Sequence, residues 1–168
     1  MKPLKIAGIV PESIVDGPGV RYALFVQGCP HHCPGCHNPQ THDFSGGTEV
    51  PPESILAELD HMPWISGITF SGGEPFCQPE ALSWLAAQLK ARGKHIIAYS
   101  GYTFEELTAM DDPFIRALLE KLDLLIDGRF ILEQKSMELH FRGSTNQRIL
   151  DMPASLVAGQ PIWAEKYR

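Results

Sequence analysis

The sequence predicts an α/β fold, a partial, open parallel β/α barrel, formed by a single domain over residues 1–168. Segments of strand-forming residues alternate with segments of helical periodicity, an order typical of right-handed βαβ crossovers and a mostly parallel sheet. The chain has room for roughly four or five such units, whereas a closed eight-stranded barrel typically takes about 250 residues. Polar or glycine-rich segments follow the predicted strands, at the rim where such sheets bind ligands.

The first predicted strand is "VRYALFV", residues 20–26, because it is rich in β-branched and aromatic side chains. The loop after it, residues 29–51, is rich in Pro, Gly, His and Asn, and an irregular segment of that length inside a compact domain is usually functional. "PPESILAELDHM" is predicted to form a helix, because its apolar residues recur at helical spacing. These residues are Ile55, Leu56, Leu59 and Met62.

The second predicted strand is "ISGITFS", residues 65–71, which ends where Gly72 and Gly73 begin. "PEALSWLAAQLKARG" follows as a helix, because its leucines and alanines share one face and Gly93 is a typical stop. The apolar face is made of Leu82, Leu85, Ala86 and Leu89.

The third predicted strand is "KHIIAYS", and "TFEEL" begins a helix after it, with Thr103 and Glu106 spaced as a capping box. "LDLLIDG", residues 122–128, is the fourth strand, and "FRGSTNQRIL" contains a closing strand. The cysteine-rich loop, "SGGEP", "YSGYT" and "IDGRF" each follow a predicted strand. We therefore expect all four segments to meet on one rim of the sheet.

The composition narrows the classes of function. A formal net charge of −6 argues against a nucleic-acid partner, which calls for a basic face. The sequence has no run of about 18 apolar residues to span a membrane, and its first residues lack the apolar region of a signal peptide. We therefore expect a cytoplasmic protein without a membrane partner. In that reducing compartment, clustered thiols more often bind metals or catalyse reactions than form disulfides.

Three cysteines, Cys29, Cys33 and Cys36, form a C-x3-C-x2-C run, and Cys77 is the remaining one. A zinc site could complete the three with a nearby histidine, although zinc ligands usually come as two separated pairs. A disulfide would leave one thiol unpaired. Soft thiolates also select iron–sulfur clusters, and three of them leave one iron of a 4Fe–4S cubane open to a substrate. Cys77 follows another strand, so we expect it to be a loop residue rather than a fourth ligand.

The segment "TFSGGEP", residues 69–75, is a strand that ends in two glycines and an acid. Gly72 and Gly73 allow the backbone to approach a ligand closely and to expose its N–H and C=O groups. Such a segment alone could be a simple turn. Its position, one βα unit after the cysteines and on the same predicted rim, favours a ligand-binding role.

These motifs resemble those of the radical S-adenosylmethionine superfamily. Longer blocks between residues 16 and 149 are similar to one of its families, the glycyl-radical activases that act on anaerobic ribonucleotide reductase. The blocks are "DGPGVRYALFVQGCPHHCPGCHNPQTHDF", "TFSGGEPF", "YSGYTFEEL", "LLIDGRF" and "FRGSTNQRI". The resemblance implies that the partial barrel is of the radical S-adenosylmethionine type.

The resemblance implies two cofactors, a 4Fe–4S cluster and S-adenosyl-L-methionine. The expected metal ligands are Cys29, Cys33 and Cys36. The residues expected to bind S-adenosylmethionine are Gly35, Cys36, His37, Gly72, Gly73, Glu74 and Ser100. The backbone of Gly73 would hold the methionine part, with Gly72 and Glu74 near the amino group, because a carboxylate suits an ammonium.

The resemblance implies less specific roles for several further residues. The resemblance implies that Tyr99 and Tyr102 line the cofactor pocket, and that Asp127 and Arg129 contact the ribose or the partner. Gly35 departs from the superfamily, because many members carry an aromatic residue just before the third cysteine. Two histidines of the cysteine loop, His31 and His32, are expected to face solvent rather than to tune the cluster.

The implied partners are an anaerobic ribonucleotide reductase, which is a glycyl-radical protein, and a flavodoxin-like electron donor. The resemblance also suggests a homodimer of the activase within the complex. Two alternatives stay open from the sequence. One is an activase of another glycyl-radical enzyme, of the pyruvate formate-lyase type, and the other is a non-catalytic zinc-binding module.

Overall fold

The computed structural model describes residues 2–168, and one seven-stranded sheet organises them. The strands are β1 Leu4–Ser13, β2 Arg21–Val26, β3 Thr48–Val50, β4 Gly67–Gly72, β5 His95–Ser100, β6 Leu124–Asp127 and β7 Arg148–Asp151. Their order across the sheet is β3-β1-β2-β4-β5-β6-β7. The four central strands, β2, β4, β5 and β6, are parallel. The other three join the sheet antiparallel to a neighbour.

The α/β class and the parallel centre of the sheet are therefore confirmed. Within residues 2–168, the edge strands β3 and β7 each pair with one neighbour, so the sheet does not close on itself. The curvature of a partial barrel remains a prediction. No helix in the described part of the chain has the length and apolar character needed to cross a bilayer.

Residues 2–168 contain five α-helices, four of which lie between strands and one of which follows β7. They are α1 Pro52–Asp60, α2 Pro79–Ala91, α3 Phe104–Ala109, α4 Pro113–Lys121 and α5 Met152–Ala158. The predicted capping box of α3 is present, because Thr103 accepts from the backbone N–H of Glu106 and the Glu106 side chain accepts in return. Asp112 caps α4 in a similar way, by accepting from the backbone N–H groups of Phe114 and Ile115.

The helices cover one face of the sheet and bury the main core. Alternate residues of the parallel strands point towards them, as the two-residue period of a strand requires. These strand residues include Tyr22, Leu24, Ile68, Phe70, Ile96 and Ala98. They pack against leucines of α2 and α4, such as Leu85 and Leu118, which are completely buried. Each such side chain contributes about 1.5–3 kcal/mol by burial, so Leu85→Ala would cost about 2–5 kcal/mol.

The opposite face of the sheet carries a smaller apolar cluster and is only partly covered. Ile97, Leu124, Ile126 and Ile149 form this cluster, against which Tyr99, Phe141 and Tyr167 pack. The loop between β1 and β2, residues 14–20, also crosses this face. It is anchored because the backbone carbonyl of Asp16 accepts from the hydroxyl of Thr69, at 2.8 Å. Space therefore remains on this face towards the carboxyl ends of the strands.

Four elements were not predicted from the sequence. The predicted first strand is in fact β2, because β1 precedes it and runs antiparallel to it. The segment of β1 contains Gly8 and Pro11, which disfavour a strand except near an edge or an irregularity of the sheet. The short strand β3 pairs with β1 within the loop that was expected to be irregular. The helices α4 and α5 were also missed, and both begin with a proline in the first turn.

Candidate functional site

A cavity of about 620 Å³ lies at the carboxyl ends of the parallel strands. Segments that follow all four of these strands line it. They contribute Cys29, Cys33 and Cys36 after β2, Gly72 and Gly73 at the end of β4, Ser100 and Gly101 at the end of β5, and Gly128 and Phe130 after β6. The prediction that these four segments meet on one rim is confirmed.

Backbone hydrogen bonds hold the cysteine loop in place. The N–H of Cys29 donates to the carbonyl of His42 at 3.1 Å, and the N–H of Cys36 donates to the carbonyl of Cys33 at 3.1 Å. The second bond closes a turn that brings Cys33 and Cys36 to the same side of the cavity. The N–H of Asn38 lies 3.4 Å from the sulfur of Cys36, a contact that favours a thiolate.

The three thiols differ in their exposure. Cys29 is buried, whereas Cys33 and Cys36 are partly exposed. Burial raises the pKa of the Cys29 thiol, and the nearby charge of Glu74 raises this pKa further. A free Cys29 thiol therefore resists ionisation, and a positively charged metal centre would have to draw its proton away. The raised pKa therefore favours the protonated thiol at Cys29 in the metal-free chain.

The donor set fits an iron–sulfur cluster better than a single ion. A tetrahedral zinc would need all its ligand atoms within about 2.0–2.3 Å of one point. No group of three or more His, Cys, Asp or Glu side chains in the described residues 2–168 is close enough together to hold a single metal ion. A 4Fe–4S cubane takes one thiolate at each of several iron atoms, and all three cysteines of the loop line the same cavity.

The two glycines after β4 pack directly on the cysteine loop. The N–H of Glu74 donates to the carbonyl of Gly28 at 2.8 Å, and the N–H of Gly73 donates to the carbonyl of Val26 at 2.8 Å. A Cβ atom on Gly73 would collide with the Gly28 carbonyl, and Gly72 has a φ of +95°. Only glycine satisfies both positions without strain, and both glycines line the cavity.

Comparisons with known proteins agree with this site. Residues 15–150 match the family described as a 4Fe-4S single cluster domain. The anaerobic ribonucleoside-triphosphate reductase-activating protein of Vibrio cholerae is 40% identical over 147 residues, which cover 83% of this chain and 92% of that protein. The protein of the same name from Haemophilus influenzae is 38% identical, with the same shares covered. The chain belongs to this family of activating proteins. The resemblance stated from the sequence is thereby confirmed.

Among solved structures, QueE from Escherichia coli aligns with a TM-score of 0.44 and 20% sequence identity. The alignment covers 61% of this chain and 53% of QueE.

In this member of the family, Glu74 does not line the cavity. It is 0% exposed, and protein groups occupy its carboxylate oxygens. The donors are His31 Nε2 at 2.7 Å, Gly101 N at 2.8 Å, Phe76 N at 3.0 Å and Ser100 Oγ at 2.9 and 3.0 Å. These protein donors occupy the carboxylate oxygens in this structure, and the expected contact between Glu74 and a substrate ammonium stays a prediction.

The expectation that His31 faces solvent is wrong. Its side chain is 4% exposed and inserts between Glu74 and the turn after β5. The ring of Tyr102 meets it edge-on, with ring centroids 4.6 Å apart. Ser100 lines the cavity as expected, but its hydroxyl donates to Glu74 and accepts from the N–H of Tyr102. Its hydroxyl is therefore engaged by other groups of the protein.

Gly35 and His37 lie on opposite sides of the third cysteine. Gly35 has a φ of +77° and faces Leu132, and it is not among the residues that line the cavity. His37 lines the cavity, and its ring meets Phe130 edge-on at 5.4 Å between centroids. Phe130 thus supplies an aromatic ring near the third cysteine, although the residue that precedes this cysteine in the sequence is Gly35.

Asp127 has a structural role that the sequence did not reveal. It is 1% exposed, and it accepts from the backbone N–H of Phe104 at 2.7 Å and from the guanidinium of Arg148. These bonds hold its carboxylate in place, but Asp127 also lines a second cavity, so its expected contact with a ribose or the partner stays a prediction. Arg129 is half exposed, is 3.5 Å from Glu106, and lines a neighbouring cavity of about 530 Å³.

Sequence reasoning missed the outer wall of the main cavity. Val15 and Asp16 from the loop before β2 line it, as do Met137, Leu139 and Phe141 from the segment before β7. Val15 and Met137 are 74% and 86% exposed. Their apolar character was the available signal, but single exposed apolar residues are common and carry little weight alone.

Proposed function

We propose that this protein is a radical S-adenosylmethionine enzyme that generates a glycyl radical on an anaerobic ribonucleoside-triphosphate reductase. Three thiols and the turn of Gly72 and Gly73 line one cavity in a chain of the activating-protein family, and this observation carries the proposal. The proposed domain comprises residues 1–168.

In this proposal Cys29, Cys33 and Cys36 hold a 4Fe–4S cluster, and one iron remains available to S-adenosylmethionine. When bound, these two groups supply the one-electron cleavage of the sulfonium and the removal of a hydrogen atom from a glycine Cα of the partner. Every other task falls to the chain, which must hold the two groups in register and limit the access of water and oxygen.

The open backbone of Gly72 and Gly73 is the proposed binding element for the methionine part of the cosubstrate. Its C=O groups can accept from the amino group of an amino acid, whereas the N–H of Gly73 already donates to the carbonyl of Val26. Cys36 and His37 face the same cavity from the other side. Gly35 contributes to the proposed cofactor site by shaping the cysteine loop. Ser100 contributes to it by donating a hydrogen bond to Glu74.

The mouth of the cavity suits a segment of a partner protein. Exposed apolar side chains at Val15 and Met137 rim it, and Asp16 adds an acceptor group. A radical on a protein glycine requires that the glycine reach the cofactors, so the cavity must be open to a chain segment. We also propose a flavodoxin-like electron donor, a homodimer within the complex with the reductase, and a cytoplasmic location.

Anaerobic reconstitution tests the proposal. We expect about four iron and four sulfide per chain with brown absorbance. Dithionite and S-adenosylmethionine should then release 5′-deoxyadenosine, and a candidate reductase should acquire a glycyl-radical signal in electron paramagnetic resonance. Binding of one colourless zinc would instead support the zinc module. A radical formed on a pyruvate formate-lyase type enzyme, but on no ribonucleotide reductase, would replace the proposed partner.

A further inference from the structure

One buried carboxylate joins the three segments that form the site. Glu74 belongs to the turn after β4, and its oxygens accept from Ser100 and Gly101 in the turn after β5. They also accept from His31, which lies between the first two cysteines of the loop after β2. No other side chain in the described residues is hydrogen-bonded to all three of these segments.

The burial of Glu74 makes each of these bonds costly to lose. A carboxylate that is 0% exposed needs a full set of donors, because an unsatisfied buried charge is strongly destabilising. His31 Nε2, at 2.7 Å, is the shortest of the donors and the only one from the cysteine loop. Loss of this donor would therefore remove the side-chain hydrogen bond that ties the cysteine loop to Glu74, and would leave the backbone bond from the N–H of Glu74 to the carbonyl of Gly28.

The surrounding packing fixes the imidazole in one position. A Cβ atom on Gly101 would collide with the His31 ring, so the ring lies directly on the backbone of the turn after β5. Tyr102 closes the slot from the side, at 4.6 Å between centroids. His32, the next residue, has no such slot, and its ring lies edge-on to His42.

We propose that His31 is a positioning residue, which through Nε2 and Glu74 holds the cysteine loop in register with the turn of Gly72 and Gly73. It thereby sets how the cluster and S-adenosylmethionine face each other. This inference rests on the proposed function, because register matters only if both groups share the cavity. His31 also lines the cavity, and the role proposed for it acts through the position of the cysteines.

Three variants test the role of the hydrogen bond. His31→Ala removes donor and ring, whereas His31→Gln places an amide nitrogen close to the position of Nε2. His32→Asn changes the neighbouring exposed side chain and keeps a residue that tolerates its φ of 48°. Each is reconstituted anaerobically, and the iron content and the dissociation constant for S-adenosylmethionine are measured. The melting temperature of the cluster-free chain is measured in parallel.

We expect His31→Ala to bind S-adenosylmethionine about ten- to a hundredfold more weakly than the wild type. His31→Gln should restore most of this affinity, and His32→Asn should match the wild type. If His31→Ala holds no iron at all, the affinity of His31→Gln for S-adenosylmethionine is compared with that of His32→Asn, and this comparison tests the positioning role. A glutamine variant as defective as the alanine variant would overturn the proposal, as would wild-type affinity in His31→Ala.

The outcomes separate this inference from the proposed function. A wild-type chain that holds no iron–sulfur cluster would contradict the proposed function itself. A wild-type chain that binds both groups, together with an unaffected His31→Ala, would contradict only the positioning role. A fall in the melting temperature that His31→Gln does not reverse, with unchanged affinity in both variants, would show a merely structural contribution and would also overturn the proposal.

Discussion

The guanidinium of Arg21 donates a hydrogen bond to Nδ1 of His95, at 3.0 Å, beneath the loop that crosses the open face of the sheet. Arg21 is 1% exposed and has no carboxylate among its hydrogen-bond partners. Its other donors reach the hydroxyl of Thr69 and the carbonyls of Pro18, Ile68 and His95. Burial lowers the pKa of Arg21 to about 10. Since Arg21 is still charged at neutral pH, His95 accepts as a neutral imidazole with its proton on Nε2.

This pair predicts a loss of stability on mild acidification. Burial, and then the charge of Arg21, lowers the pKa of His95 below its ordinary value of 6.5. The unfolded chain therefore takes up a proton at His95 at a higher pH than the folded chain. The contribution of neutral His95 to the free energy of unfolding is complete above about pH 6.5, and it is lost as the pH falls towards the pKa of His95 in the folded chain. Urea unfolding of the cluster-free chain from about pH 7.5 to about pH 5.5 should show this loss.

A His95→Gln variant isolates the contribution of this histidine. Glutamine retains a hydrogen-bond acceptor and does not titrate. The free energy of unfolding should fall less steeply with acidification in the variant than in the wild type. Other groups, His42 among them, titrate equally in both chains. Parallel pH profiles for the two chains would show that His95 does not couple to folding.

Asp127 and Glu105 form a second matched pair, because both accept from Arg148. Asp127 is 1% exposed and also accepts from the backbone of α3, whereas Glu105 is 60% exposed. Asp127→Ala should lower the free energy of unfolding by about 3 kcal/mol, because it leaves the buried N–H of Phe104 without a partner and the guanidinium of Arg148 with only the exposed Glu105. Glu105→Ala should cost less than about 1 kcal/mol. Urea denaturation measures the free energy of unfolding of both variants. Equal losses in the two variants would contradict the structural role given to Asp127.

Gly73→Ala should damage both folding and cosubstrate binding. The added Cβ meets the backbone carbonyl of Gly28, which cannot move without shifting the cysteine loop. We expect a loss of about 1–3 kcal/mol in stability, by urea unfolding, and weaker binding of S-adenosylmethionine, by anaerobic calorimetry. Gly8→Ala is the control, because no atom lies within 4 Å of its added Cβ. Normal binding by Gly73→Ala would show that this turn tolerates a side chain.

Much of the fold could be predicted because its signals are local. The capping box of Thr103 and Glu106, the helical spacing in α2, and the strand-forming run of β2 each depend on residues close together in the chain. The common rim also followed from local signals, since parallel strands place their following segments together. The strand β1 was missed because its antiparallel pairing with β2 and β3 is specified by tertiary contacts, not by its own irregular pattern.

The partners of the site residues were harder to predict. Glu74 and His31 are 43 residues apart, and neither carries a pattern that distinguishes a buried partner from a ligand contact. A carboxylate next to two glycines suits an ammonium equally well on chemical grounds. Asp127 presented the same ambiguity, because its pairing with Arg148 depends on the return of β7 beside β6. Only the packing of three separate segments decides such cases.

The four cysteines provide the most direct test of the ligand assignment. Cys29, Cys33 and Cys36 line the cavity, whereas Cys77 lies in the short helical turn after Glu74 and does not line it. We therefore predict that Cys36→Ala abolishes cluster assembly, because two protein thiolates hold a cubane poorly. Cys77→Ala should retain the full iron and sulfide content of the wild type.

Iron and sulfide counting after anaerobic reconstitution, with the visible spectrum of each chain, measures both variants. The melting temperature of each cluster-free chain is the control for folding. Cys36 is partly exposed and its side chain packs in no apolar core, so its removal should leave this temperature nearly unchanged. A cluster lost in Cys77→Ala, with folding intact, would make Cys77 a ligand and would close the iron corner that the proposed chemistry requires. A full cluster in Cys36→Ala would equally contradict the assignment, because the remaining loop thiols would then suffice.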